Sequence, residues 1–553
     1  MHKPNFSTSS FKSCNKEKNK TGKSNNNNPW YDNECFNKRK EFKNARDIYN
    51  VTLQEEDLKT LCKIRNSYRQ LCRRKRKEFN FRAAKDLVHL SKTNSKQFWK
   101  KIKRKLKKKE NSCDFHTYFK NLFETPITVL NAETHQILNN DCVSINVGDI
   151  FLDADFTIIE LENALKKLKN DKSPGYDNIL NEFLKLNTTL FKKTLLSIFN
   201  LLFKKGYFPD AWSVGMIIPI FKTGDPNLPE NYRGITLLSC IGKLFTSMIN
   251  SRLNLWAELN NKYDNHQYGF RDKRGTVDAM FILQNIVDIF LKQNNALYVC
   301  FIDLKKAFDC TNHKALWYKL NLNNVSFKII NILKNMYEKM KMCVKNTLLS
   351  SNLMPCDCIR NVKNTFCLLC NAQTLNSCFF QPNAGVLQGE SLSPTIFSFF
   401  LNDLNDYLKE DPSIGVSVYQ FFLVLLLFAD DMVLFSENRF SLQSGIDKLY
   451  DYCNKWGLLV NVSKTKCLVF KNGGKKSILD KWNYNGEEIE TVTAFKYLGF
   501  IFSSSGTFSK GIDNILTKGD RAYFNLLSSI ENFQSMFVDM QLSLFDTLVS
   551  SVL

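Results

Sequence analysis

The apolar and polar positions change rhythm along the chain. Residues 1–28 carry few large apolar groups and end in the run Asn25 to Asn28, so a disordered polar tail is expected there. From Pro29 to about Glu124 apolar residues recur at mixed helical spacings, such as Ile64, Tyr68 and Leu71, then Phe79, Leu87 and Leu90, which predicts amphipathic helices. From Phe156 onward the periods mix. TIIELENALKKLKNDKSPGYDNI reads as a helix and a Ser-Pro-Gly-Tyr-Asp turn. GMIIPIFKTGDPNLPENYRGITLLSCIGKLF reads as a short strand, a Gly-Asp-Pro turn, a loop bearing Arg233 and a helix. LYVCFIDLKKAFDCTNHKALWYKL is a buried strand running into a helix, and Trp456 to Phe470 a turn followed by a strand. FFLVLLLFADDMVLFS, from Phe421 to Ser436, reads as a hairpin of two buried strands with Ala-Asp-Asp at its tip. The irregular alternation predicts an α+β fold rather than a doubly wound parallel sheet.

At 553 residues, 44% hydrophobic and 13% aromatic, the chain has the composition of a globular protein of two to four domains. Charge changes the picture more than size does. The net charge of +22 is concentrated: Leu61 to Glu110 holds 20 Lys and Arg against 3 Asp and Glu, a net +17. Such a local excess calls for a polyanion, nucleic acid first and an anionic membrane surface second. A solvated face or an import signal accounts for a short cluster, but less well for seven basic residues in Lys101 to Lys109 added to Arg73 to Lys77. The 17 cysteines without a secretory signal point to a reducing compartment, and the longest apolar run, Phe421 to Ala429, falls far short of the ~20 residues of a membrane span. The protein is therefore expected inside the cell, in nucleus and cytoplasm, soluble or peripherally bound. Between Ser350 and Gly385, VKNT at 362–365 echoes VKNT at 344–347. Zinc at Cys356, Cys358, Cys367 and Cys370 is disfavoured there by the tight, atypical C-x-C-x8-C-x2-C spacing. A loop insertion or a faulty gene-model segment is the preferred account.

Asp430 and Asp431 sit between apolar runs, where unpaired charge is costly. Either they form a wet hairpin tip, or they hold divalent metal. Asp303, 127 residues earlier, ends the apolar strand LYVCFID. A strand delivering one carboxylate beside a hairpin delivering two is the arrangement that two-metal phosphoryl transfer requires, with two Mg²⁺, or Mn²⁺, as the ions. Lys222 and Arg233 suit triphosphate oxygens, Arg through its planar fork and Lys as a point charge. Gln388 and Gly389, in GVLQGESLSPTIF, offer an amide and a close backbone approach beside a base pair. Lys464, in NVSKTK, is placed to give a proton to departing pyrophosphate. Each has a duller reading alone, a surface charge or a helix-start turn.

Their order is what discriminates. The blocks KSPGYDNI, IIPIFKTGDPNLPENYRGITLL, QYGFRDKRGTVDA, FIDLKKAFD followed by His313, GVLQGESLSP, FADD, NVSKTK and FKYLG run in sequence. Together they resemble the reverse transcriptases of non-LTR (LINE-type) retrotransposons, over about Phe156 to Phe500 and more loosely from Pro29. The resemblance implies a right-hand polymerase with fingers, palm and partial thumb behind a basic helical N-terminal extension. It divides the chain into a tail at 1–28, the extension at 29–125, fingers and palm at 150–475, and a primer-grip region with partial thumb at 476–553. It implies Asp303, Asp430 and Asp431 as metal ligands and catalytic residues, with Lys464 beside them. Lys222 and Arg233 then meet the incoming dNTP, Gln388 with Gly389 positions template and nucleotide, and Tyr497, Leu498 and Gly499 lie in the primer grip. Phe308, five residues after Asp303, matches the position that excludes a 2′-hydroxyl. The implied partners are an RNA template, a DNA primer or target and dNTP; protein partners are not indicated. No endonuclease-like sequence precedes Pro29, and LFDTLVSSVL falls inside the expected thumb, so a fragment or decayed copy of a longer reading frame is expected. The other readings are an inactive, element-derived RNA-binding protein and an RNA-directed RNA polymerase. FADD in place of Gly-Asp-Asp, with a bulky Phe308, opposes the latter.

Overall fold

The computed structural model describes residues 29–93, 97–98, 114–124, 132–140, 148–186, 188–345, 379–474, 477–530 and 538–551. The polar tail 1–28, the run Lys101 to Lys109 and the four zinc candidates Cys356, Cys358, Cys367 and Cys370 lie outside these residues. The chain divides into two compact units, one formed by Met1–Lys107 with Ile515–Leu553 and the other by Lys108–Asn514.

In the first unit, α1 (Asn33–Thr52) and α2 (Glu55–Thr93) fold back as an antiparallel hairpin. Asp32 caps α1 by accepting the Cys35 N–H at 3.1 Å, and Leu53, at φ 53°, closes it in the left-handed region. The Tyr31 and Tyr68 hydroxyls meet at 3.3 Å, Phe42 stacks on Tyr68, and Lys75 reaches Asp32 and Glu34 at 2.7 Å each. Leu71 is buried and Ile64 and Tyr68 half-buried, as their spacing predicts; Phe79 instead faces outward. Leu87 and Leu90 pack against a small core of Phe98, Leu526, Leu544 and Val549. Arg73, Arg74, Arg76 and Lys77 are all exposed.

The second unit is built on sheets. Strands β1 (Val214–Phe221), β2 (Tyr232–Leu237) and β4 (Lys341–Val344) form a three-stranded sheet in the order β2-β1-β4, with β1 and β4 parallel. Arg233 lies within β2, opposite Ile220, and not in the loop expected from the sequence. A six-stranded sheet follows, in the order β10-β11-β9-β3-β8-β7. Its members are β3 (Leu297–Asp303), β7 (Leu425–Phe428), β8 (Asp431–Ser436), β9 (Lys466–Phe470), β10 (Trp482–Tyr484) and β11 (Glu487–Thr491). Two hairpins complete the strands, β5 (Val416–Val418) with β6 (Phe421–Leu423), and β12 (Ala494–Tyr497) with β13 (Phe500–Ser503).

The unbroken apolar run of β3 has a simple cause, because successive side chains point to opposite faces and both faces are covered. Leu297, Val299 and Phe301 enter a core with Leu283 and Val287 of the helix Thr276–Lys292 and with Tyr497 and Phe502 of the β12–β13 hairpin. Cys300 and Ile302 enter the other core, with Leu449 and Tyr452 of the helix Arg439–Trp456. Strand β8 alternates in step: Val433 and Phe435 join the first core, Met432 and Leu434 the second. The helix Phe115–Glu124 puts Phe115, Phe119 and Phe123 into the second core.

Arg252, on the helix Cys240–Leu259, ties the helix Ile158–Lys167 down. Its guanidinium takes both oxygens of Glu160 at 2.9 Å, donates to the carbonyls of Ala154 and Asp155, and lies 4.3 Å from the centre of the Phe156 ring. A planar fork satisfied by a carboxylate and backbone carbonyls is one of the few ways to bury a full charge. No helix among the described residues is long and apolar enough to cross a membrane.

Candidate active site

The β3–β8 register sets Asp303 directly opposite Asp431. Both occupy odd-numbered positions of their strands, so they continue the face that carries the β12–β13 hairpin. Asp430 lies in the two-residue turn that joins β7 to β8, since Phe428 pairs with Asp431. The other turn residue, Ala429, has φ 60°, a left-handed conformation that costs an alanine roughly 1–2 kcal/mol. Neighbouring backbone and one side chain hold it there. Gln267, buried, accepts the Ala429 N–H at 3.0 Å and the Gly269 N–H at 2.8 Å on the same amide oxygen. Leu427 donates to the His266 carbonyl at 2.9 Å and accepts from Tyr268 at 2.8 Å, so Gln267 forms an isolated parallel bridge to β7. A Cβ on Gly269 would sit 2.3 Å from the Ala429 nitrogen, a distance no side chain tolerates.

The three carboxylates crowd one another. Asp431 is pushed up to about 6, first because the surrounding protein withholds water and then because Asp430 and Asp303 oppose its ionisation, with Lys222 acting the other way. Burial and Asp303 raise Asp430 in the same manner, while Arg233 and Lys222 pull it down. Lys222 and Arg233 thus share the electrostatic neighbourhood of the aspartates from the β1–β2 side. Lys464 Nζ stands 3.7 Å from Asp303 Oδ2, with the lysine side chain largely exposed. Among the described residues no group of three or more His, Cys, Asp or Glu side chains is already drawn together closely enough to hold a metal ion. The donor set itself suits a hard cation: carboxylate oxygens only, two of the three with pKa values raised first by burial and then by the neighbouring carboxylates.

Phe308 lies in the one-turn helix Ala307–Cys310, stacked on Phe397 at 4.5 Å between ring centroids and met edge-on by Phe270 at 6.3 Å. The segment around Gln388 is strapped along this turn. The Val386 N–H donates to the Phe308 carbonyl at 2.6 Å, Gly385 N–H to Thr311 at 2.8 Å, and Gly385 carbonyl meets His313 Nε2 at 2.8 Å. On its other side the Gln388 carbonyl accepts from Thr236 of β2 at 2.7 Å. Gly389, at φ 114°, leaves no room for a side chain, since a Cβ would lie 2.8 Å from the Thr236 oxygen.

The sequence-derived primer-grip residues divide. Tyr497 is buried against Phe301, its hydroxyl has no partner among the described residues, and burial followed by the charge of Asp431 pushes its pKa up. Leu498 (φ 47°) and exposed Gly499 (φ 101°) form the tip of the β12–β13 hairpin. Three residues without a sequence-derived role belong to the neighbourhood: Gln267, Gly269 and Asp309, the last accepting from Gln388 Nε2 at 2.7 Å. Their blocks, QYGF and AFD, were visible, but a bond to a residue far away in sequence leaves no local pattern.

Residues 220–502, which contain all of this geometry, match the family pattern of reverse transcriptase (RNA-dependent DNA polymerase). The chain is 26% identical over 366 residues to the RNA-directed DNA polymerase from mobile element jockey of Drosophila funebris, which covers 65% of this chain and 36% of that protein. It is 28% identical over 359 residues to a protein of Drosophila melanogaster described as a probable RNA-directed DNA polymerase from transposon BS, covering 63% and 36%. The chain thus spans about a third of the length of these curated relatives. Among solved structures, apo telomerase from Candida tropicalis aligns over 85% of both chains at 14% identity with a TM-score of 0.38, too distant to bear argument.

Proposed function

The chain belongs to the reverse transcriptase family, and we propose that it is the polymerase of a non-LTR retrotransposon, extending the 3′-hydroxyl of a primer with dNTPs on an RNA template. The observation that carries this reading is the placing of Asp303 across from Asp431, with Asp430 in the adjoining turn, inside the family-matched region. Divalent metal, Mg²⁺ or Mn²⁺, held by these three carboxylates would supply activation of the primer hydroxyl and charge for the triphosphate. The chain's own groups do the rest. Lys222 and Arg233 bring positive charge to where the phosphates bind and offset the repulsion among the aspartates. Lys464, 3.7 Å from Asp303, is the group that would serve the leaving pyrophosphate as proton donor. Phe308 cannot swing away easily because Phe397 backs its ring, so the space under the sugar stays closed to a 2′-oxygen. Leu498 and Gly499 at the hairpin tip present backbone to the primer end, while Tyr497 anchors them from within.

Primer extension on an RNA template tests the reading. Wild-type chain with dNTPs and Mg²⁺ or Mn²⁺ is expected to lengthen an annealed DNA primer. Tight RNA binding with no incorporation under either ion would instead support an inactive RNA-binding protein.

The exposed cations of α2 support a second part of the proposal, that this helix contacts nucleic-acid phosphates. Each phosphate neutralised on a single strand contributes roughly −0.7 to the slope of log K against log salt. Changing Arg73, Arg76 and Lys77 together to alanine is therefore expected to flatten that slope by about 2 in RNA-binding titrations. An unchanged slope would leave this face merely solvated.

A further inference from the structure

We infer that Asp309 is a positioning residue for nucleotide selection: its carboxylate fixes the Gln388 side-chain amide in one orientation, keeping a single N–H free for the minor-groove edge of the base pair being formed. This inference deepens the polymerase reading and rests on it.

The bond that carries it is the 2.7 Å contact from Gln388 Nε2 to Asp309 Oδ1. A charged carboxylate only accepts, so the face of Gln388 turned toward it must be the NH₂ and not the carbonyl. Burial lifts the Asp309 pKa to about 6, with Gln388, Lys306 and Arg233 holding it down and Asp430 pushing it up. One amide N–H is thereby occupied, and the other is left over.

The backbone of Gln388 has little freedom of its own. Its carbonyl is held by Thr236, and two residues earlier Val386 is held by Phe308. A Cβ on Gly385 would lie 2.6 Å from the Asp309 carbonyl oxygen, which shows how closely the two segments run. What remains to be fixed is the side-chain torsion, and Asp309 fixes it. Every Watson–Crick pair presents acceptor atoms on its minor-groove edge, so one rigid N–H tests pair geometry without reading sequence. Phe308 and Asp309 are adjacent, so one turn of chain controls both the sugar and, through Gln388, the base pair.

Asp309→Asn is the discriminating variant. It keeps the shape of the side chain but adds donors, so the Gln388 amide is free to turn over. Single-nucleotide incorporation on an RNA template gives kcat/KM for matched and mismatched dNTPs. Misincorporation relative to correct insertion is expected to rise roughly fivefold, the ordinary worth of one hydrogen bond, with an unchanged thermal midpoint. In a Gln388→Ala background the same change is expected to do nothing. Wild-type discrimination in Asp309→Asn, or an equal loss in the Gln388→Ala background, overturns the inference alone. A wild-type chain that incorporates nothing overturns the polymerase reading and this inference with it.

Discussion

Replacing Asp430 with alanine is expected to lower nucleotide incorporation by about a thousandfold or more while leaving RNA affinity within about twofold. Metal-held charge stabilisation of a phosphoryl-transfer transition state is worth several kcal/mol, and each 1.36 kcal/mol is a factor of ten. Asp303→Ala and Asp431→Ala are expected to behave alike, since on the proposed mechanism the three carboxylates would act as a unit, whose losses do not add. The cations of α2 belong to the other structural unit and are untouched. Folding gives the control. A carboxyl whose pKa is raised in the native state binds its proton more tightly there than in the unfolded chain. Such a group lowers native stability as pH rises from its unfolded value toward about 6 and keeps it lowered above that. At pH 7 to 8, without divalent ions, Asp431→Ala should therefore unfold no earlier than wild type, and activity is lost from an intact fold. Full incorporation by the Asp430 variant in a single-turnover assay would refute the assignment of the site.

Phe308→Val is expected to raise the kcat/KM for ribonucleotides relative to deoxyribonucleotides by roughly tenfold to a hundredfold, because steric discrimination over a group the size of a hydroxyl or methylene is worth about 1–3 kcal/mol. The ring is half-buried and stacked on Phe397, so its removal also has a packing cost. The two effects separate in the assay. Lost packing lowers the thermal midpoint and reduces both substrates together, whereas a lost gate moves only their ratio. A constant ratio with a lower midpoint would make Phe308 a core residue.

How much of this was legible in the sequence depended on whether a signal was local. The apolar run of β3 with Asp303 at its end was readable because both faces of that strand are covered, and the FADD turn because two charges interrupt two such runs. The run from Phe421 to Phe428 was only partly readable. It divides into β6, paired with β5, and β7, paired with β8, and a continuous apolar stretch shows no break in period where it changes sheet. In YRGITL the glycine and arginine weaken the strand pattern so that the segment resembles a loop; its pairing with β1 decides otherwise. The helix Phe115–Glu124 looked continuous with the basic extension, yet its phenylalanines pack in the core of the larger unit. Gln267 and Asp309 were illegible because their roles are hydrogen bonds to residues 162 and 79 positions away.

The crowding at Gly269 bears on how copies of such a chain are to be told apart. A scan for the aspartates alone would pass any gene in which Asp303, Asp430 and Asp431 still stand. Yet the turn that carries Asp430 is stitched to a glycine at which even a single methyl group would collide with the Ala429 backbone. Any missense change at the first or second base of that codon sets a side chain against the Ala429 backbone while every carboxylate still reads as intact. Coding capacity is therefore written partly in a residue that has no functional group at all, and an inventory of reactive side chains overcounts the survivors.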